Sequence, residues 1–179
     1  PEGQQKLVSE LAKTGKPVIA LVMCGRPVIF NEIREHADAV LCTWWLGSEA
    51  GNAICNVLWG EYNPSAKLPM TFPAHVGQIP IYYQNKSTGR PTALKQTYKA
   101  SYIDASTEPA YPFGYGLSYT DFGYSDLKLL PGKAAGVHTE VSVKVTNTGK
   151  CAGEEVVQLY VQDKVASVTR PIKELKGFR

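Results

Sequence analysis

Histidine is sparse in this chain and cysteine never comes in pairs: three His and four Cys are spread over 179 residues. Cys24, Cys42, Cys55 and Cys151 form no C-x-x-C, so a zinc site or a disulfide framework is not expected. They read instead as small buried hydrophobes, and they do not fix the compartment. His36, His75 and His138 stand at no metal-ligand spacing. No apolar run approaches ~20 residues, which excludes a membrane-spanning helix. No Lys/Arg cluster exceeds two residues and the net charge is only +3, so nucleic acid is not an expected partner. Neither an initiator Met nor a signal peptide opens the chain, which begins Pro1-Glu2-Gly3. It reads as a piece of something longer, and a missing signal then carries no weight.

What is present is an ordinary globular mixture, 44% hydrophobic and 20% charged, long enough for one large or two modest domains. The organising stretch is residues 38–73, DAVLCTWWLGSEAGNAICNVLWGEYNPSAKLPMTFP. Its apolar start, 38–45, predicts a strand buried on both faces, as in a parallel sheet. Gly47 and Ser48 break the run. Ala50, Ala53, Ile54, Val57 and Leu58 then form a helical stripe. Ser48 is the expected N-cap, Glu49 suits the helix dipole, and Gly60 suits the C′ position. Upstream, Pro1 and Glu2 open a helix with Leu7, Val8, Leu11 and Ala12 on one stripe, ended by Gly15. Residues 18–23 predict a second buried strand, Gly25-Arg26-Pro27 a turn, and 29–37 a short helix. Two strands and three helices are half of a layered α/β sandwich, and the rest of its sheet is expected before Pro1. Residues 67–72 predict a short edge strand.

Residues 73–117 are rich in Pro, Gly, Tyr and polar groups. Tyr82, Tyr83, Tyr98, Tyr102, Tyr111, Tyr115 and Tyr119 need surfaces to pack on. The stretch therefore predicts a linker pinned over its neighbours, with mobility confined to 87–100. From Tyr124 the period becomes two. Val137, Thr139, Val141, Val143 and Val145 alternate with polar residues, the pattern of a half-buried strand. Residues 147–150 read as a turn, 156–161 as the next strand, and Pro171 as an edge or strand start. This predicts an immunoglobulin-like sandwich with three or four strands of its usual ~7.

The rim where the 38–45 strand passes into the next helix, Trp44 to Glu49, lies where α/β sheets bind ligands. The plainer alternative is that the Trp pair packs core and Glu49 only favours the dipole.

Several blocks carry a resemblance: LGSEAGNAICN (46–56), VLWGEYNPSAKLPMTFP (57–73), VGQIPIYY (76–83), TGRP (88–91) and YPFGYGLSYT (111–120). They resemble the C-terminal part of family-3 glycoside hydrolases, particularly bacterial periplasmic β-glucosidases. PEGQQKLVSEL and GKPVIALVMCGRPV fit the same register. VSVKVTNTGKCAGEEVVQLYVQD and RPIKELKGF are similar to the family's fibronectin type III-like domain. The resemblance covers essentially the whole chain and implies truncation at both ends. It implies an α/β class: half of an α/β/α sandwich over 1–82, a Tyr/Pro/Gly-rich linker over 83–119, and the N-terminal strands of the fibronectin-like domain over 120–179. It also implies a periplasmic or secreted, retaining, exo-acting β-glucosidase without cofactor or metal, whose partners are a β-glucoside or oligosaccharide and an N-terminal barrel. A homo-oligomer is compatible with it.

Retention needs two carboxyl groups ~5 Å apart. The resemblance implies that the nucleophile Asp and the acid/base Glu lie upstream of Pro1, so none of the catalytic pair is expected here. Glu2 and Glu49 match neither position. Trp45, for stacking on a sugar ring, and Glu49, for a hydroxyl, are the expected substrate-binding residues. Ser101-Tyr102-Ile103-Asp104 is similar to a family Arg-Tyr-Phe-Asp stretch without its Arg. Other readings are a β-xylosidase or β-N-acetylglucosaminidase of the family, or a non-catalytic carbohydrate-binding or scaffolding module.

Overall fold

The computed structural model describes residues 2–87, 89–90, 100–131 and 139–179. Pro1, Thr88, Pro91, Tyr98, Val137 and His138, with the expected mobility over most of 87–100, lie outside the described residues. The first half is built from α1 (Glu2–Ala12), β1 (Ile19–Val22), α2 (Asn31–His36), β2 (Ala39–Cys42) and α3 (Ala50–Leu58). β1 and β2 pair in parallel, with Ile19 opposite Ala39 and Val22 opposite Cys42. Asp38 stands just before β2, where its carboxylate accepts the Val18 amide at 2.8 Å. The strand ends at Cys42 rather than Trp45, because Trp44 takes a left-handed φ of 52° that no extended strand accommodates.

The expectation of two buried faces is corrected. Val22 is buried, but Ile19 and Leu21 on the same strand are exposed. The core lies on one side: Val22, Phe30 and Phe72 are buried, with Cys24, Val28, Ile33, Val40, Cys42, Trp44, Leu68 and Tyr111 packed around them. Among the described residues, none forms a second layer over the exposed residues of β1.

The helix after β2 starts later than its pattern implies. Residues Gly47–Glu49 form a 3₁₀ turn that runs into α3, and no side chain caps either. Ser48 is therefore not an N-cap: the turn already supplies backbone acceptors of the i→i+3 kind. Gly60 does take the left-handed conformation, φ 79°, and its amide donates to the Val57 carbonyl. Residues 67–72 form no regular strand. Phe72 makes an isolated antiparallel bridge with Tyr111, and Leu68 donates its amide to Tyr115 at 2.8 Å. The linker thus completes the first half's core, with Phe30 against both Phe72 and Tyr111 at 5.9 Å between ring centroids.

Among its described residues the second half holds two antiparallel pairs, β3 (Phe122–Pro131) with β4 (Thr139–Asn147) and β5 (Gln158–Val161) with β6 (Glu174–Phe178). Val141, Val143 and Val145 are half-buried while their polar neighbours are exposed, as the period of two requires. A bulge between Ser125 and Lys128 interrupts β3, at the left-handed Asp126 (φ 55°). Pro171 pairs with Lys86 of the linker in an isolated bridge. The chain is thus an α/β unit joined to part of a β-sandwich.

Candidate functional site

The carboxyl ends of β1 and β2 lie side by side, so the loops leaving them share one rim. From β1 comes residues 23–27, from β2 residues 43–49. The left-handed turn at Trp44 sends consecutive indoles different ways. Trp44 is half-buried and meets Phe72 edge-on at 5.7 Å, whereas Trp45 is 81% exposed. Of these two indoles, Trp45 is the one with its aromatic surface exposed.

Trp45 has a seat. A Cβ placed on Gly25 would overlap Trp45 Nε1 and crowd Cδ1 at 3.2 Å. Gly25 therefore lets the indole lie against the β1 loop. The sequence shows Gly25 only as part of a turn, and nothing local to it announces that an indole some twenty residues on needs the space.

Glu49 is exposed at the end of the 3₁₀ turn, and its carboxylate accepts a hydrogen bond from Asn52 Nδ2 at 2.6 Å. Trp45 and Glu49 thus share a short stretch of rim, but Glu49 is engaged with its own helix. An acceptor held by one amide retains further lone pairs for a hydroxyl donor.

Two other constellations support the linker. Gln78 is buried: its Oε1 accepts the Ala74 amide at 2.6 Å, and its Nε2 donates to the carbonyls of Ser106 at 3.2 Å and Glu108 at 2.9 Å. Lys67 donates to the Gly116 carbonyl at 2.9 Å and pairs with Glu155 at 3.1 Å, while Tyr124 donates to Glu155 at 2.9 Å. Open clefts of about 610 Å³ and about 390 Å³ border the linker and the sandwich strands, and no rim residue lines either. Among the described residues no group of three His, Cys, Asp or Glu side chains could hold a metal ion. The expectation of buried cysteines holds only in part: Cys24 and Cys42 are half-buried, but Cys55 and Cys151 are exposed.

Residues 1–119 match the family described as "Glycosyl hydrolase family 3 C-terminal domain", and residues 155–179 a "Fibronectin type III-like domain". A "Periplasmic beta-glucosidase" of Salmonella typhimurium is 49% identical over 99% of this chain and 24% of its own length. A "Beta-xylosidase" of Formosa agariphila is 48% identical over 98% of this chain and 24% of its own length. A crystal structure of the β-glucosidase from Listeria innocua in complex with isofagomine superimposes with a TM-score of 0.94 at 42% identity, covering all of this chain and 25% of that one. The chain therefore spans about a quarter of the length of these relatives.

Proposed function

The chain belongs to glycosyl hydrolase family 3, and from that premise we propose that it is the C-terminal part of a retaining, exo-acting β-glucosidase that removes terminal β-D-glucosyl residues. The names of the Salmonella and Listeria relatives support this reading. Their length beyond the matched quarter leaves room for a barrel carrying the Asp nucleophile and for the acid/base Glu. The two carboxyls of a retaining mechanism sit ~5 Å apart and act without a cofactor. This chain's share is binding rather than bond breaking, so alone it should release no aglycone from an aryl β-glucoside. Turnover by the purified 179-residue chain that Glu49→Ala abolishes would overturn that division of labour.

The observation that carries the site assignment is the exposed Trp45 indole on its Gly25 seat at the end of a parallel strand pair. In this reading the indole stacks on the C–H face of a sugar ring, and Glu49 accepts from a sugar hydroxyl alongside its Asn52 contact. The division into an α/β half (1–82), linker (83–119) and fibronectin-like strands (120–179) belongs to the same proposal. So does placement in the periplasm or outside the cell, favoured by the name of the Salmonella relative.

Trp45→Ala and Glu49→Ala in the full-length protein test the site. Loss of the stacking surface should lower kcat/KM for an aryl β-glucoside roughly tenfold, or ~1.4 kcal/mol, with the melting temperature little changed. If both variants keep wild-type kcat/KM and lose only thermal stability, the rim is structural. A second reading, β-xylosidase, is favoured by the Formosa relative at 48% identity. Aryl β-xyloside and β-glucoside assayed side by side decide between them.

A further inference from the structure

The cleft of about 390 Å³ opens where the linker meets the sandwich strands, and its lining is more specific than a joint requires. Two phenol rings line it and stay open to solvent, Tyr115 of the linker at 37% exposure and Tyr124 of β3 at 50%. Beside them is an ion pair that water hardly reaches. Lys67 Nζ stands 3.1 Å from Glu155, with the two side chains 15% and 16% exposed, and Glu155 also accepts from the Tyr124 hydroxyl at 2.9 Å. Gln158 is held by its Nε2, which donates to the Gly114 carbonyl at 3.0 Å, and by the Tyr160 hydroxyl, which donates to its Oε1 at 2.6 Å. Lys173 reaches over the Tyr160 ring, 5.4 Å from the centroid, and has no carboxylate partner among the described residues. The Tyr115 hydroxyl likewise has no hydrogen-bond partner among them.

This lining selects among ligand classes. An anion would face the Glu155 carboxylate, and Lys67 is already committed to that group, which leaves Lys173 alone to hold it. A wholly apolar ligand would strip water from charged groups and return no hydrogen bonds. A sugar ring satisfies both kinds of surface. Its C–H face covers an exposed phenol ring. Its hydroxyls donate to the oxygens of Glu155 and Gln158 and accept from Lys173 and the Tyr115 hydroxyl. The volume stands at the lower end of the ~300–1,000 Å³ range of small-molecule sites, which suits a short saccharide.

We propose that this cleft is a saccharide-binding site that shares no residue with the rim. The sugar stacks on Tyr124, and Glu155, Lys173 and Tyr115 hold its hydroxyls. Lys67 comes from the end of the α/β unit, Tyr115 from the linker, and Tyr124 and Glu155 from the sandwich, so the site exists only where the two halves are docked. That is why no local motif announces it. The ligand class follows from the lining; only the choice of a glucoside as probe rests on the glucosidase reading.

The test uses the full-length protein and a photoreactive probe, an S-linked β-glucoside carrying a diazirine, which resists hydrolysis. After irradiation, tryptic peptides are mapped with and without an excess of S-linked cellobiose. Residues 100–128 form one peptide holding Tyr115 and Tyr124, 151–164 another holding Glu155 and Gln158, and 35–67 a third holding Trp45 and Glu49. The expected result is label in 100–128 or 151–164 that the competitor removes. Tyr124→Ala should reduce that label about tenfold through loss of the stacking surface. Tyr115→Phe keeps the ring and should reduce it about fivefold through loss of one hydroxyl. Both variants should keep wild-type kcat/KM on an aryl β-glucoside. Where Tyr124→Ala does not fold, Tyr115→Phe decides. Competitor-sensitive label confined to 35–67, or found in none of the three peptides, would overturn the proposal, as would cleft label that neither substitution reduces. Label on 35–67 and the kcat/KM of Trp45→Ala report on the rim, so failure of the cleft and failure of the proposed function are read separately.

Discussion

At the scale of single residues, the decisive positions are those where a neighbour far along the chain dictates what can be there. Gly25 and Trp45 are coupled because the Trp45 indole occupies the volume a side chain at Gly25 would fill. Gly25→Ala should displace the indole and alter its fluorescence, whereas Trp45→Ala made together with it should remove the added effect. If Gly25→Ala leaves the emission of Trp45 unchanged, the seat does not position the ring. Trp45 and Glu49 themselves were legible from the break between an apolar run and a helical stripe; their different availability was not, since it depends on the backbone twist at Trp44. A second residue effect is set by pH. Burial first, and then the hydrogen bond and charge of Glu155, push the Tyr124 phenol up to about 12, against about 10 in an unfolded chain. The neutral phenol is thus favoured by folding. Its contribution is fully present below about pH 10 and is lost as pH climbs toward 12. Tyr124→Phe should make the alkaline loss of stability shallower in a pH series of urea melts. Tyr111 and Tyr160 are shifted upward as well, so the slope should shrink rather than vanish. An unchanged slope would count against this role for Tyr124.

At the scale of elements, four strands were written in the sequence, while β3, β6 and the joints between elements were not. β1, β2 and β5 follow from short apolar runs, and β4 from strict alternation, because a strand's periodicity is local. The bridge between Phe72 and Tyr111 joins segments with no shared period, so neither declares its partner. Ser48 illustrates the opposite error: a residue suited to capping is not used as a cap once a 3₁₀ turn has entered the helix. Asn63 shows the cost of what stays hidden. It reads as a turn residue beside Pro64, yet its Oδ1 accepts from Ser118 Oγ at 2.9 Å and from the Tyr119 amide at 2.8 Å, and its Nδ2 donates to the Ala152 carbonyl at 2.9 Å. One side chain thereby binds the α/β unit to the end of the linker and to the turn before β5. Asn63→Ala should cost about 1–3 kcal/mol, the loss of one part-buried and two exposed hydrogen bonds at up to about 1 kcal/mol each. Asn63→Asp, which keeps both accepted bonds and loses the donated one, should fall between the two in a denaturant titration. If both substitutions are neutral, the joint is held by packing alone.

At the scale of the whole molecule, area decides the expected behaviour. The chain exposes 13491 Å², whereas a compact monomer of 19.6 kDa would expose roughly 8,600 Å² by the usual mass scaling. Among the described residues only Val22, Phe30 and Phe72 are buried hydrophobics, while Leu7, Ile19 and Met23 of the α/β unit and Leu127 and Leu129 of β3 remain exposed. The sequence had every one of these apolar positions on display, but whether a layer covers them is a property of what packs above, which no local pattern contains. Among the described residues β1 and β2 pair only with each other, so each leaves an open strand edge there. Apolar faces and open edges of this kind associate with their like. The isolated 179-residue chain should therefore self-associate as its concentration rises, bind a dye that reports exposed apolar surface, and melt over a broad range. In the full-length protein, where the relatives carry three times as much additional chain, dye binding per molecule should fall and the transition should sharpen. Sedimentation across a concentration series separates the outcomes. A single monomeric species that melts cooperatively and binds no dye would show that the exposed faces are stable in water by themselves, and the argument from area would fail.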